Sequence, residues 1–191
     1  MSIAHSLITL SVIGSDFARR NIKSGKAAFP AVPLESILTS NTQITSAQLR
    51  PNGSPIIILS TGIAYSWNID LCSLVKINEL RWSLGSDQWE GKQRSNKAST
   101  SKGVIANLET TLTEMQTSDI IALDDASERP TWWDVAYTLG HLETRMHAAR
   151  VLDSPAEYKS SLAHYARKIA EEGYRAKAEE LIKELCGPLY W

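Results

Sequence analysis

The chain has 191 residues, of which 43% are hydrophobic and 21% are charged, and its formal net charge is −1. This length fits one large domain or two small ones, and the composition is that of a globular protein with its own core. The near-neutral charge excludes the strongly basic footprint of a nucleic-acid-binding domain. Cys72 and Cys186 lie far apart without a CxxC motif, which indicates a reducing compartment rather than a disulfide framework.

The first apolar segment of the chain alternates in the manner of a strand. Ile8, Leu10 and Val12 are separated by Thr9 and Ser11, the period of a half-buried strand. No Lys or Arg precedes this segment, which disfavours a signal peptide. No stretch of the sequence is long and apolar enough to predict a membrane-spanning helix.

Further strand signals follow in the first half. Residues 55–59 form a continuous apolar run, and Ile63, Tyr65 and Trp67 then alternate before a short strand at 72–77. Short strands joined by turns that contain Gly, Asn and Asp favour an antiparallel meander. Trp67 ends an alternating strand, so we expect it in the core.

A faint internal repeat supports a blade-like arrangement. RNIKSGK begins at Arg20 and WNIDLCS begins at Trp67, an offset of 47 residues. A four-stranded unit that recurs at about 40–47 residues is typical of propeller blades. About two such units fit into the first half of the chain.

A basic segment without periodicity divides the sequence. Residues 92–103 carry four basic residues and no acidic one, which is typical of a polar linker. We therefore predict a blade-like β part at 1–91, a linker at 92–103 and a helical bundle at 104–191. The predicted fold class is α+β, with an antiparallel meander of about two blades followed by a small antiparallel bundle.

Four helices are predicted after the linker from apolar residues that recur with a helical period. Their stripes are Ile105, Leu108, Leu112 and Met115; Leu139, Leu142 and Met146; Tyr158, Leu162, Tyr165 and Ile169; and Tyr174, Leu181, Ile182 and Leu185. Thr131 with Asp134, and Ser154 with Glu157, have the spacing of capping boxes at the starts of the second and third helices.

Residues that would carry chemistry are scarce. His141 and His147 lie six positions apart on one helix, about 240° around its axis, so they cannot chelate one metal ion. His164 lies beside an apolar stripe, as a packing residue does. No P-loop, dinucleotide-binding or nucleophile-elbow motif occurs, so the sequence predicts no catalytic, cofactor-binding or metal-ligating residue.

The tryptophans are the most informative side chains for function. Six occur beside only two phenylalanines. Trp82 and Trp89 flank a loop that follows the last predicted strand, and Trp132 and Trp133 open the second predicted helix. Aromatic residues outside periodic core positions often anchor interfaces. These four are the candidate interface residues, either between the two halves or with a partner.

Two ordered stretches resemble the HIRA/Hir family of histone-chaperone subunits. LRPNGSPIIILSTGIAYSWNIDLCSLVKI resembles a region in which an S-x-G-x-A-Y strand leads to an aspartate-leucine turn, and RWSLGSDQW suits the residues that follow. The closing helices are also similar, with HLE at 141–143, L-x-S-x-x-EY at 152–158, YAR at 165–167, EG at 172–173 and ELCGP at 184–188. The resemblance covers residues 20–91 and 130–188.

This resemblance implies a nuclear scaffold role without catalysis. Complexes of this family deposit core histones independently of DNA replication and repress transcription of histone genes. For their C-terminal part, the resemblance implies self-association as a trimer and binding to a large helical-repeat subunit, with chromatin contacted only through other subunits. It implies no membrane, cofactor or small-molecule substrate.

The sequence departs from the family pattern in places. Arg20 stands where a blade usually has Trp, and Leu74 stands where an aromatic residue is expected. The resemblance covers only the C-terminal part of the family's proteins, without their N-terminal WD-repeat propeller and central docking segment. We therefore expect a role of the C-terminal Hira region alone, without docking of the smaller histone chaperone.

Two other functions compete with this interpretation. WWDVAYTLGHLE has a passing likeness to the start of a TPR repeat, which would make the chain a helical peptide-binding adaptor unrelated to chromatin. No second copy follows about 34 residues later, as an array of such repeats requires. A small hydrolase that uses His164 or His141 is the third hypothesis, with no nucleophile motif in its favour.

Overall fold

The computed structural model describes residues 8–13, 16–21, 32–34, 37–83, 85–88, 103–115 and 130–187. The chain divides into two compact units, residues 1–77 and 78–191. Apart from Gly103, the predicted linker lies outside the described residues. The division into parts 1–91, 92–103 and 104–191 therefore stays a prediction.

The described strands form two sheets. They are β1 (Ile8–Ile13), β2 (Asp16–Asn21), β3 (Val32–Pro33), β4 (Ile44–Leu49), β5 (Pro55–Leu59), β6 (Ile63–Asn68) and β7 (Ser73–Glu79). One sheet has the order β1-β2-β3 and the other has the order β4-β5-β6-β7, so neighbours in sequence are neighbours in space. The resolved pairings are antiparallel, with Ile57 opposite Tyr65 and Ile58 opposite Ala64 in the larger sheet. The predicted antiparallel meander is confirmed.

The core of the first unit lies around β5, whose five residues are all buried. Ile57 and Leu59 form an apolar cluster with Leu34 and with Trp67 of β6. Because successive side chains of a strand point to opposite faces, a strand buried at every position is covered on both sides. The prediction that Trp67 belongs to the core is confirmed.

The second unit contains the helices. After a single 3-10 turn at Leu80–Trp82, they are α1 (Val104–Met115), α2 (Thr131–Val151), α3 (Pro155–Glu171) and α4 (Arg175–Cys186). Together with the sheets, they confirm the predicted α+β class. Within the described ranges, no helix has the length and apolarity needed to cross a membrane.

Polar contacts between the helices give their directions. Tyr165 of α3 donates to Glu143 of α2 at 2.7 Å, whereas Tyr158, earlier in α3, meets Arg150, later in α2. These helices therefore run antiparallel. Arg150 also contacts Glu184, and Lys177 contacts Glu143, so α4 runs in the direction of α2.

The apolar faces of α2 and α3 meet in one cluster of Leu139, Leu142, Tyr165 and Ile169. The predicted α3 stripe is shifted by one residue at two of its four positions, where Glu157 and Ser161 are buried in place of Tyr158 and Leu162. Ser161 is buried, whereas the neighbouring Leu162 is only half-buried. In the first two turns of α3, the buried face therefore lies one residue before the predicted apolar stripe.

Neither predicted capping box is present. Thr131 is already the first residue of α2, so the N-cap position falls to Pro130. The side chain of proline cannot accept a hydrogen bond. Ser154 occupies the N-cap position of α3 but makes no capping hydrogen bond to that helix. The reason lies in Glu157, whose carboxylate is used at a different helix.

Candidate functional site

The four candidate interface tryptophans differ in their placement. Trp132 is the most exposed of them, with 59% of its surface accessible, and Trp133 beside it is half-buried. Trp82 is half-buried in the 3-10 turn, an element that contacts α1 and α2. Trp89 lies outside the described residues. The second unit thus brings the elements that carry Trp82, Trp132 and Trp133 together.

An aromatic row runs along the first turns of α2. It consists of Trp132, Trp133 and Tyr137, with ring centroids 5.6 Å and 5.2 Å apart in sequence order. Tyr137 packs against Gly85 so closely that a Cβ atom there would lie 2.8 Å from the Tyr137 ring. The inner end of the aromatic row is therefore fixed, and its outer end, Trp132, faces solvent.

The segment around Gly85 is tied to α2 at several successive positions. The amide of Asp87 donates to Thr138 Oγ1 at 3.0 Å, and Ser86 Oγ lies 2.8 Å from His141 Nδ1. Lys168 of α3 approaches Asp87 at 3.8 Å. Residues 85–88 are thus held by side chains one helical turn apart on α2.

A buried polar cluster stands behind this attachment, and we call Ser86, Glu109, His141 and Arg145 the polar clamp. His141 Nε2 lies 2.9 Å from Glu109 Oε1, while Nδ1 faces Ser86. Ser86 Oγ already accepts the amide hydrogen of Gln88 at 3.1 Å. Because the Glu109 carboxylate only accepts hydrogen bonds, Nε2 carries the hydrogen in a neutral His141, and Nδ1 then accepts the hydroxyl hydrogen of Ser86. The clamp joins residues 85–88, α1 and α2.

The acid in the clamp is paired with a guanidinium group. Arg145 Nε lies 3.6 Å from Glu109 Oε1, and only 3% of the Glu109 side chain is exposed. Among the described residues, Glu109 Oε2 and Arg145 Nε are buried atoms without a hydrogen-bond partner. Buried ion pairs with incomplete hydrogen bonding contribute little net stability.

A serine, a histidine and a glutamate in contact are also the components of hydrolytic triads. In such triads Nε2 activates the nucleophile and Nδ1 faces the acid, which is the reverse of the arrangement here. Ser86 is 0% exposed and His141 is 2% exposed, so a substrate carbonyl does not reach the hydroxyl in this structure. His147 and His164 are exposed, so the prediction that His164 is a packing residue is wrong. The geometry of the clamp is that of a structural connection.

A second buried carboxylate caps α1. Glu157 of α3 accepts the backbone hydrogens of Val104, Ile105 and Ala106 at 2.9–3.1 Å. Ser154 Oγ also donates to it at 2.7 Å. Because the first amides of a helix have no partner within the helix and carry partial positive charge, a carboxylate there stabilises α1.

Gly103 makes this contact possible. Its φ of +146° is unfavourable for a residue with a side chain, and a Cβ atom there would lie 2.3 Å from Glu157 Cδ. The sequence contained one signal for this site, a glycine directly before a helical apolar pattern. It did not reveal that the capping side chain would come from a helix more than 50 residues later.

The pKa values of four side chains in the helical bundle are raised by their surroundings. The pKa of Lys177 is raised by its hydrogen bond to Glu143, and the pKa of Tyr165 is raised by burial and then by Glu143. Glu172 raises the pKa of Lys168. Glu184 and Tyr158 raise the pKa of Arg150, whose guanidinium carbon lies 5.0 Å from the Tyr158 ring centroid.

Side chains of the metal-ligating types do not gather in the described part of the chain, where no three His, Cys, Asp or Glu residues could hold one ion. The sites built by the second unit are therefore the exposed end of the aromatic row, the polar clamp and the Glu157 cap. The first offers an accessible surface, and the other two hold the elements beneath it.

Comparison with known proteins gives consistent matches. The family model described as "Hira: TUP1-like enhancer of split" matches residues 6–185. Protein HIR1 of Yarrowia lipolytica is 30% identical over 95% of this chain, and Protein HIR1 of Mycosarcoma maydis is 29% identical over 97% of it. The histone transcription regulator slm9 of Schizosaccharomyces pombe is 27% identical over 88%. The chain spans 19% to 23% of the length of these relatives.

A solved structure has the same fold. The crystal structure of HIRA(644-1017) superimposes with a TM-score of 0.66 at 21% identity and covers 96% of this chain and 55% of its own. The antiparallel strands followed by helices therefore share the fold of the part of that fragment that the match covers. With the family model matching nearly every residue, this chain belongs to the Hira family.

Proposed function

We propose that this chain is a non-enzymatic assembly module of a histone-chaperone complex of the HIR type. In this role it acts in the nucleus, in replication-independent nucleosome assembly and in repression of histone-gene transcription. The family match over residues 6–185 carries the proposal, and a relative named as a histone transcription regulator supports it.

The proposed partners are other subunits of such a complex, first among them a large helical-repeat subunit. Self-association as a trimer is the second proposed contact, and chromatin is reached only through other subunits. The inward-facing polar groups of the second unit support a binding rather than a catalytic role, because the most accessible group of the candidate site is an indole.

Trp132 is the proposed centre of the contact with the helical-repeat subunit. Its indole is exposed but oriented by a row whose inner end packs on Gly85, so little conformational entropy is lost when a partner covers it. Exposed tryptophans on fixed scaffolds are frequent energetic centres of interfaces. Trp133 and Trp82 supply half-buried surface nearby, on elements of the same unit.

Light scattering and pull-down from nuclear extract test the proposal with the whole 21.1 kDa chain. We expect a mass three times that of one chain and retention of a helical-repeat chaperone subunit. Trp132→Ala should reduce that retention by at least about tenfold without changing the mass. Ile182→Ala, at an exposed position on α4, is the matched control and should retain the subunit.

Other outcomes would contradict the proposal. A clean monomer that retains no chaperone subunit would remove the assembly role. Binding of short peptides by such a monomer would favour the TPR-like adaptor instead. Retention unaffected by Trp132→Ala would leave the assembly role intact but place its contact elsewhere.

A further inference from the structure

The connection between α2 and α3 contains Ser154 of the dipeptide Ser154-Pro155, whose proline is the first residue of α3. Ser154 is half-buried, lies outside both helices and has φ −121° and ψ 75°, a non-helical conformation. Asp153 before it is exposed and has a positive φ of 51°. The only other Ser-Pro dipeptide of the sequence is Ser54-Pro55, at the start of β5.

The hydroxyl of Ser154 supports the cap of another helix. It donates to Glu157 Oε2 at 2.7 Å, and the same oxygen accepts the Val104 amide at 2.9 Å. Only 8% of Glu157 is exposed. The hydroxyl hydrogen is thus one of the positive groups that hold a buried carboxylate at the start of α1.

We propose that Ser154 is a phosphorylation site for a proline-directed kinase and that its modification uncaps α1. In the reaction, Ser154 Oγ bonds to the γ-phosphorus of ATP and the bond from that phosphorus to the β–γ bridging oxygen breaks. ADP leaves, and the hydroxyl proton passes to the kinase's catalytic carboxylate. The inference is independent of the proposed chromatin role.

Phosphorylation converts the attractive interaction between Ser154 and Glu157 into a repulsive one. A hydrogen-bond donor is replaced by a group of charge about −1.5 to −2 that bears only acceptor oxygens. Two anions within hydrogen-bond distance repel each other, and the repulsion is strong where burial lowers the dielectric constant. The carboxylate therefore loses its place at the amides of residues 104–106.

The consequence extends along α1 to the polar clamp. Glu109 lies about one helical turn after the capped amides and holds His141 at 2.9 Å. When the first turn of α1 loosens, this contact and the attachment of residues 85–88 through Ser86 weaken with it. Modification at Ser154 thus acts on the segment against which the aromatic row packs.

Two experiments test the inference on the whole chain. Incubation with ATP and a proline-directed serine/threonine kinase, followed by mass spectrometry, should place phosphate on Ser154, and Ser54→Ala should leave that incorporation intact. A chain with phosphoserine installed at position 154 should then exchange the amide hydrogens of residues 104–106 about tenfold faster, the effect of losing one charge-assisted hydrogen bond. Phosphoserine at position 54 is the matched control and should leave their exchange unchanged.

A variant separates repulsion from general loosening. In a Glu157→Gln background the installed phosphate no longer meets an anion, so it should accelerate exchange by clearly less than in the unsubstituted chain. Phosphate found on Ser54 but never on Ser154 of the folded chain would overturn the inference. Unchanged exchange at residues 104–106 with phosphoserine at 154 would overturn it equally.

Discussion

Different kinds of side chain stabilise the interior of the four-stranded sheet and the interior of the helical unit. β5 is buried at every position, and its centre is an apolar cluster of Ile57, Leu59, Leu34 and Trp67. The helical unit also has an apolar cluster, but its α1 is attached through two carboxylates, Glu157 of α3 at its start and its own Glu109 near its middle.

The difference concerns what each kind of contact contributes. Apolar burial stabilises in proportion to area and tolerates small shifts of the groups involved. Buried charged groups contribute less net stability, but they require their partners at defined distances and angles. We infer that apolar packing makes the sheet the more stable of the two. In the helical unit, the buried charged contacts restrict the positions of the helices relative to one another more narrowly. The four predictions that follow test this contrast.

Glu109→Ala should have the largest effect, about 4 kcal/mol lost from the free energy of unfolding of the helical unit. The change leaves His141 and Arg145 buried without their acid. Urea denaturation followed by the helical circular-dichroism signal measures the loss. Joint replacement by Glu109→Met, His141→Leu and Arg145→Leu should recover most of it, and a recovery below half would show that the clamp itself stabilises the fold.

Ile57→Ala should cost about 3 kcal/mol, because it opens a cavity in the cluster around β5. Urea denaturation followed by circular dichroism measures the loss. Ile69→Ala is the matched control, since Ile69 is 78% exposed and its truncation should change stability by less than about 0.5 kcal/mol. Equal effects of the two variants would refute the position of the core.

Glu157→Ala should cost about 2 kcal/mol, the loss of a charged cap that serves three amides. Hydrogen exchange at residues 104–106 should accelerate before that of α3. Gly103→Ala, which pushes the cap away from the other side, should act in the same direction. If α3 frayed first, Glu157 would be capping its own helix.

Alkaline pH should have the smallest effect. Lys168, Lys177, Arg150 and Tyr165 all have raised pKa values in the folded chain, so the native state keeps more protons than the unfolded state at high pH. Their stabilisation is complete below their ordinary pKa values, about 10 for the Lys and Tyr side chains, and is lost as the pH rises above them.

Melting temperatures measured between pH 9 and pH 11 should therefore fall. Glu143→Gln removes the carboxylate that raises the pKa of Lys177 and contributes to that of Tyr165, so the fall should become shallower. A steeper fall in that variant would contradict the assigned cause.

Local periodicity predicted most of the secondary structure. β1, β5 and β6 follow from alternation or from a short apolar run, and the four helices follow from recurring apolar residues. These patterns are informative because neighbours in sequence share one element, whose repeat decides which side chains lie on the same face. The position of Trp67 in the core was predictable for the same reason.

The polar contacts were not predictable in this way. Glu157 has the spacing of a local capping residue, and only the packing of α3 beside the start of α1 directs it to residues 104–106. Ser86 and His141 are 55 positions apart, and no motif joins them.

The sequence by itself determined the α+β class, the order of strands and helices, and the family resemblance, because each depends on patterns within one element or on an ordered series of motifs. Tertiary structure alone decided which carboxylates are buried, which tryptophan faces solvent and which helix Glu157 caps. Those outcomes depend on partners brought together from distant parts of the chain, and the free energy that selects them exists only when the elements are packed.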